Sequence, residues 1–207
     1  MPLIKNIIAA VNLFALFRGI NYVLPHSVLS LLPISRQNQL WQAYFVVCVG
    51  FGLKIPVFSF VIILSVLSFY LLALSFFDAD YFLLPDSLTF WLLFWGLLIN
   101  STCYGLISFD ASFYGFLVGF TLLYSVHLLG GVIYQNGVLG FGDVKLFSAL
   151  GAWCGLTLLP YILFVASLLG MIVYGVLFMT TKAPVAKIAF GPCLAFSTLI
   201  VLLIKLR

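Results

Sequence analysis

The chain has 207 residues, of which 65% are hydrophobic and only 7% are charged, and its net charge is +4. Soluble domains average roughly 45–50% apolar and about 25% charged residues, so this composition excludes a soluble protein and predicts an all-α, polytopic bundle surrounded by the lipid bilayer. Because the basic residues form no run, the charge pattern also argues against nucleic-acid binding.

A membrane-spanning helix needs about 20 predominantly apolar residues. Division of the chain at charges, prolines and polar clusters predicts about eight transmembrane helices. In chain order they are 7–24, 40–54, 56–77, 87–107, 112–134, 144–159, 160–180 and 187–205. Since 40–54 is short, it is predicted either to cross the membrane or to be re-entrant or tilted.

Neither the cysteines nor the histidines have the spacing of a metal site. Cysteines at 48, 103, 154 and 193 lie about fifty residues apart inside apolar runs and are expected to be buried free thiols. His26 and His127 each stand alone, as packed or hydrogen-bonded histidines do. No metal and no other cofactor is therefore predicted.

Loop charges give an orientation for the bundle. Alternating spans place the connectors at 18–39, 78–86, 135–143 and 181–186 on one side of the membrane. That side carries slightly more Lys and Arg next to the spans, which favours the cytoplasm.

All five acids are aspartates, and four of them fall on this one side. Asp110 belongs to a polar connector on the opposite side and is expected to be solvated. Asp86 follows a proline just before an apolar run, which predicts a helix cap. Asp80 is predicted to point away from Asp78, towards the solvated interface.

Asp78 and Asp143 are the candidate functional residues. A charged group inside the bilayer costs roughly 2.5–3.5 kcal/mol, so ionisable residues beside spans usually face a polar cavity and act there. Asp143 lies in "GFGDVKL", where Gly140 and Gly142 remove bulk and permit unusual backbone conformations next to an extended partner chain. The alternative is an ordinary interfacial aspartate close to Lys145.

Two carboxylates at one membrane surface favour hydrolysis. One carboxylate would deprotonate a water while the other, protonated, polarises a peptide carbonyl, and the pair would titrate as a unit. Helix ends would favour the anion at Asp143, at a helix N-terminus, and the acid at Asp78, at a C-terminus. A proton- or cation-coupled transporter that uses the same aspartates, and a non-catalytic assembly scaffold, remain open alternatives.

Three stretches of the sequence resemble the type IV prepilin peptidases, which are membrane aspartic proteases of the GxGD type. They are "FFDADYFLLPDSLTF" followed by "WGLLIN", then "GFGDVKLFSALGAW", and finally "KIAFGPCLAF", together covering about residues 60–205. The resemblance implies that Asp78 and Asp143 are catalytic, with Asp80 as a weaker candidate for the first position. Gly140, Gly142 and Lys145 are expected to bind substrate or shape the loop.

The resemblance further implies a multi-pass protein of the bacterial inner membrane that cleaves the leader of a type IV prepilin or pseudopilin at the cytoplasmic surface. Residues 1–55 would then form N-terminal spans with a short cytoplasmic connector, and 56–207 the peptidase domain. Gly191 and Pro192 match a late family element with an expected packing or loop-shaping role. The connector at 25–39 has no cysteine, so the metal site of longer members is absent and N-methyltransferase activity is not expected.

Overall fold

The computed structural model describes residues 31–54, 58–102, 105–133, 139–181 and 188–205. Within these ranges the chain is helical and contains no strand. Seven helices follow one another: α1 (Ile34–Lys54), α2 (Phe58–Tyr81), α3 (Asp86–Asn100), α4 (Phe109–Ile133), α5 (Phe141–Cys154), α6 (Leu159–Thr181) and α7 (Gly191–Lys205). Seven of the predicted spans correspond to these helices. The eighth, at 7–24, lies outside the described residues, as do His26 and Cys103.

Three of the helices are long and apolar enough to cross a membrane: Ile63–Tyr81 in α2, Phe109–Ile133 in α4 and Leu159–Thr180 in α6. Helices α3 and α7 are apolar but shorter. The fold class predicted from composition is thus confirmed, and the chain is a helical membrane protein. The division at residue 55 stays a prediction.

Helix α2 lies at the centre of the bundle. It contacts α1, α3 and α7, while α5 contacts α3, α4 and α7, and α6 packs on α7. Within the apolar windows, 78% of α2 is buried, against 17% for α4 and 11% for α6. Since burial on every side requires neighbours on every side, α2 is a core helix, as is α5, most of whose residues are buried. The apolar surfaces of α4 and α6 are left for lipid.

Helices α4 and α5 touch along their backbones at two glycines. A Cβ atom on Gly151 would lie 2.2 Å from the carbonyl oxygen of Gly115, and one on Gly115 would lie 2.3 Å from that of Gly151. No other residue type leaves room for this approach. This contact sets the position of α5 against the outer helix.

The C-terminal end of α5 is held by hydrogen bonds. Asn100 Nδ2 and Ser112 Oγ both donate to the carbonyl of Ala152, at 2.8 and 2.5 Å, and all three groups are buried. Asn100 Oδ1 also accepts the backbone N–H groups of Leu106 (2.8 Å) and Ile107 (3.3 Å). These bonds turn the chain after α3, so the predicted span 87–107 ends at Asn100. We call this region the far end.

Candidate active site

Asp78 lies in the last turn of α2 and is buried. Its Oδ2 accepts the backbone N–H of Gly191, the first residue of α7, at 2.7 Å. A Cβ atom on Gly191 would lie 2.7 Å from the same oxygen, closer than real contacts allow. The end of α2 therefore meets the start of α7 at a glycine, and the carboxylate is fixed by the main chain.

Helix α2 ends just beyond Asp78 because of a left-handed residue. Phe82 has φ 53° and donates its N–H to the carbonyl of Asp78 at 2.9 Å. This conformation is unusual for a bulky side chain and closes the helix. Pro85 then starts α3, so the chain reverses within a few residues and leaves Asp78 at the end of the bundle.

Asp143 is the third residue of α5 and is also buried. Its N–H donates to the carbonyl of Gly140 at 3.1 Å, which begins the helix. A Cβ atom on Gly140 would lie 3.2 Å from Asp143 Oδ2, and one on Gly142 would lie 2.8 Å from Leu84 Cδ1. The first glycine thus makes room for the carboxylate, and the second for the loop before α3.

This geometry corrects the expected role of the two glycines. Gly140 is extended, with φ −67° and ψ 139°, and neither Gly140 nor Gly142 has a positive φ. Their backbone conformations are open to other residues. The space beside Gly142 is filled by Leu84 of the same chain, so it is not vacant for a partner. Because Gly140 and Gly142 have no side chains, Asp143 and Leu84 can lie close to the backbone at these positions.

Cys193, in the first turn of α7, is buried and lies within electrostatic range of both Asp78 and Asp143. The last turn of α2 and the first turns of α5 and α7 therefore meet at the same end of the bundle, which we call the site end. A cavity of about 290 Å³ lies beside it, lined in part by Ala79, Pro192 and Cys193.

Each of the two aspartates has a charged neighbour two residues further along its helix, and each neighbour is paired. Asp80 Oδ1 lies 2.9 Å from Arg36 Nη2 on α1. Lys145 Nζ lies 2.7 Å from Asp86 Oδ1 on α3 and 4.8 Å from the centre of the Phe141 ring. Lys145 is thus directed to α3, which argues against the simple reading of Asp143 as its ion-pair partner.

The predicted capping role of Asp86 is wrong. Pro85 occupies the N-cap position of α3, no side chain caps it, and Asp86 is the first residue of the helix. The carboxylate pairs with Lys145 instead, 59 residues further on. It still lies in the first turn, where a negative charge stabilises a helix. Asp80 is only 17% exposed in its side chain, so it is less solvated than predicted.

Helix ends no longer distinguish the two aspartates. Asp143 lies in the first turn of α5 and Asp78 in the last turn of α2, as the sequence predicted. Asp78 also accepts an N–H from the first residue of α7, however, and a hydrogen bond of this kind favours the anion. The helix-end preference for a protonated Asp78 is therefore opposed by this hydrogen bond.

Sequence reasoning placed Gly191 in a packing role and missed its contact with Asp78, and it did not connect Cys193 with the site. The available signal was "FGPC" at the start of the last span, where a glycine precedes a proline and a small apolar residue. Only the 113-residue separation between Asp78 and Gly191 hid the contact.

Asp110, His127 and three of the cysteines are also among the described residues. Asp110 is exposed in the first turn of α4. Nδ1 of His127 is 2.8 Å from the carbonyl of Leu139, so this histidine is hydrogen-bonded as predicted. Cysteines 48, 154 and 193 are buried and free, as expected.

Comparison with known proteins agrees with this class of membrane protein. The model of the type IV leader peptidase family matches residues 65–176, which is more than half of the chain and includes both Asp78 and Asp143. The chain therefore belongs to the type IV leader peptidase family. No solved structure gives a significant match.

Several proteins that are similar to the chain in sequence are named as enzymes that process prepilin leaders. The prepilin leader peptidase/N-methyltransferase of Escherichia coli K12 is 40% identical over 131 residues, which are 63% of this chain and 58% of that protein. Its namesake in Stutzerimonas stutzeri is 40% identical over 135 residues, 64% and 46% of the two chains. The type 4 prepilin-like proteins leader peptide-processing enzyme of Escherichia coli O78:H11 is 36% identical over 140 residues, 68% and 51%. The chain matches about half the length of these relatives.

Proposed function

We propose that this chain is an aspartic endopeptidase that removes the leader peptide of type IV prepilin-like proteins. Cleavage would take place at the cytoplasmic surface of the bacterial inner membrane. The observation that carries the proposal is the burial of Asp78 and Asp143 at one end of the bundle, where both carboxylates lie within electrostatic range of Cys193. Family membership and the names of the relatives support it.

In this mechanism the two carboxylates hold one water and share one proton. The ionised member takes a proton from the water, whose oxygen attacks the peptide carbonyl carbon, while the protonated member donates a hydrogen bond to the carbonyl oxygen. The resulting tetrahedral intermediate then expels the amine, which receives a proton from the carboxyl pair. The fixed hydrogen bond from Gly191 to Asp78 supports the required positioning.

The walls of the adjoining cavity also favour this activity. The cavity beside Asp78 has mostly apolar walls, including Phe82, Val173 and Ile188, which suit a peptide that continues into a membrane helix. Gly140 and Lys145 remain candidates for contact with this peptide. The proposed activity is leader cleavage alone.

The test is cleavage of a prepilin-like substrate by the chain reconstituted in liposomes, followed as a shift on a gel. We expect Asp78→Asn and Asp143→Asn each to lower the cleavage rate by at least about a thousandfold, as loss of one catalytic residue does. Asp110→Asn removes the same charge at an exposed position and is expected to cleave normally. Thermal midpoints in detergent show whether each variant is folded.

Cleavage that persists in Asp78→Asn or in Asp143→Asn would exclude a catalytic pair formed by these two aspartates. Proton or cation flux that depends on Asp78 and Asp143, without cleavage by the unmodified chain, would instead favour a transporter. If the unmodified chain shows neither cleavage nor flux, and both aspartates can be replaced while pilus assembly continues, the chain acts as a scaffold. Different pH profiles for any residual activity of the two variants would reveal which aspartate carries the charge.

A further inference from the structure

The site end contains a contact between α1 and α2 that takes no direct part in the chemistry proposed for Asp78 and Asp143. Arg36, in the first turn of α1, places Nη2 2.9 Å from Asp80 Oδ1 and Nη1 3.2 Å from Gln39 Oε1. Tyr81, the next residue of α2, donates its hydroxyl to the carbonyl of Leu31 at 3.1 Å. Two successive residues of α2 thus bind the start of α1.

This contact lies next to the catalytic pair. Asp80 follows Asp78 by two residues, which places their Cα atoms about 5 Å apart on a helix. The side chain of Asp80 is only 17% exposed, whereas that of Arg36 is 44% exposed. An acid that is mostly removed from water depends on its partner, because loss of the partner leaves a charge that solvent compensates poorly.

The other charged and titratable groups around this turn do not replace Arg36. Asp143 on α5 is itself acidic, and Cys193 on α7 is a buried thiol. Lys145 on α5 is 2.7 Å from Asp86 on α3. Among the residues that the structure describes, the cation found on Asp80 is therefore Arg36.

We propose that Arg36 is a positioning residue of the active site, which acts through Asp80 by neutralising its charge beside the catalytic pair. This inference rests on the proposed function. A third negative charge beside the two aspartates would disfavour ionisation of the pair. The singly ionised pair would then form only at higher pH, so Arg36 keeps the enzyme active at neutral and mildly acidic pH.

The experiment measures cleavage against pH for three variants in liposomes. Arg36→Gln is expected to lower cleavage at neutral pH roughly two- to fivefold, the range of a partly exposed ion pair, and to move the acidic limb of the pH profile to higher pH. Arg36→Gln combined with Asp80→Asn removes the uncompensated charge. This double variant is expected to restore both the cleavage rate and the position of the acidic limb of the pH profile. Arg36→Lys keeps the charge and should retain most of the activity.

The control is Lys205→Gln, which removes one positive charge from the last turn of α7, at the opposite end of this helix from Gly191. It is expected to leave the acidic limb in place. If Arg36→Gln cleaves as the unmodified chain does, or if the double variant is as impaired as the single one, the inference is wrong while the proposed function stands.

A second measurement separates failure of this inference from failure of the function. A double-mutant cycle measures the coupling between Arg36 and Asp80. It compares the thermal midpoints of the unmodified chain, Arg36→Gln, Asp80→Asn and the double variant, and it requires no cleavage. Arg36→Gln should lower the midpoint more than the double variant does. If the changes in thermal midpoint caused by the two substitutions simply add, the inference is wrong, even if the unmodified chain shows no cleavage.

Discussion

The two ends of α5 differ in what holds them. At the far end, the carbonyl of Ala152 accepts two buried side-chain hydrogen bonds, and Trp153 Nε1 donates to the carbonyl of Leu92 at 2.7 Å. At the site end, Gly140 caps the helix without any side chain, and the ion pair of Lys145 is partly exposed. One helix thus combines a rigid anchor with an end that leaves room around Asp143, so stability and chemistry are assigned to different residues.

Among the contacts that hold the two ends of the bundle, the largest effect is expected at Gly191. Gly191→Ala adds a Cβ atom 2.7 Å from Asp78 Oδ2 and must displace the carboxylate. Because a misplacement of about 1 Å can cost around a hundredfold in rate, we expect cleavage to fall by that order. Gly175→Ala is the matched control, since a Cβ there meets nothing within 4 Å. Equal cleavage rates for the two variants would show that Asp78 is not held in this way.

An intermediate effect is expected at the far end, and it should appear as stability. Gly151→Ala places a Cβ 2.2 Å from the carbonyl oxygen of Gly115, so α4 and α5 must separate. We expect a loss of about 1–3 kcal/mol in the free energy of unfolding in detergent, as for other overpacked sites. Cleavage per folded molecule should change little. A variant with full stability but impaired cleavage would contradict the proposed division of roles.

The smallest effect is expected at the ion pair between α3 and α5. The side chain of Asp86 is 76% exposed and that of Lys145 is 32% exposed, so solvent and salt screen the pair. Asp86→Asn should cost less than about 1 kcal/mol in the free energy of unfolding, and less still at high salt. A larger, salt-independent loss would mean that the site end is anchored as firmly as the far end.

The sequence predicted what depends on local patterns. Apolar runs placed α1 to α7, and the alternation of the connectors between them predicted that Asp78 and Asp143 lie on one side of the membrane. Local reasoning assigned Asp86 to a cap because proline precedes it. The ion pair with Lys145 depends on how α3 packs against α5, and no short stretch of sequence contains that information.

Contacts between distant residues account for the other differences. The space beside Gly142 looked open because Leu84 lies in another part of the sequence, and Gly191 looked like a packing residue because Asp78 is 113 residues away. Helix periodicity describes each helix alone. Which backbone group reaches which carboxylate is decided only when α2, α5 and α7 come together.

The bond between Asp78 and Gly191 has a consequence for biosynthesis. Asp78 and Asp143 precede Gly191 in the chain, so α2 and α5 emerge from the ribosome before α7 does. A nascent chain that has inserted α2 to α5 thus contains both acids but lacks the backbone amide that fixes one of them. The order of synthesis delays completion of the site until α7 enters the membrane, and a chain stalled before this step would carry an unfinished site.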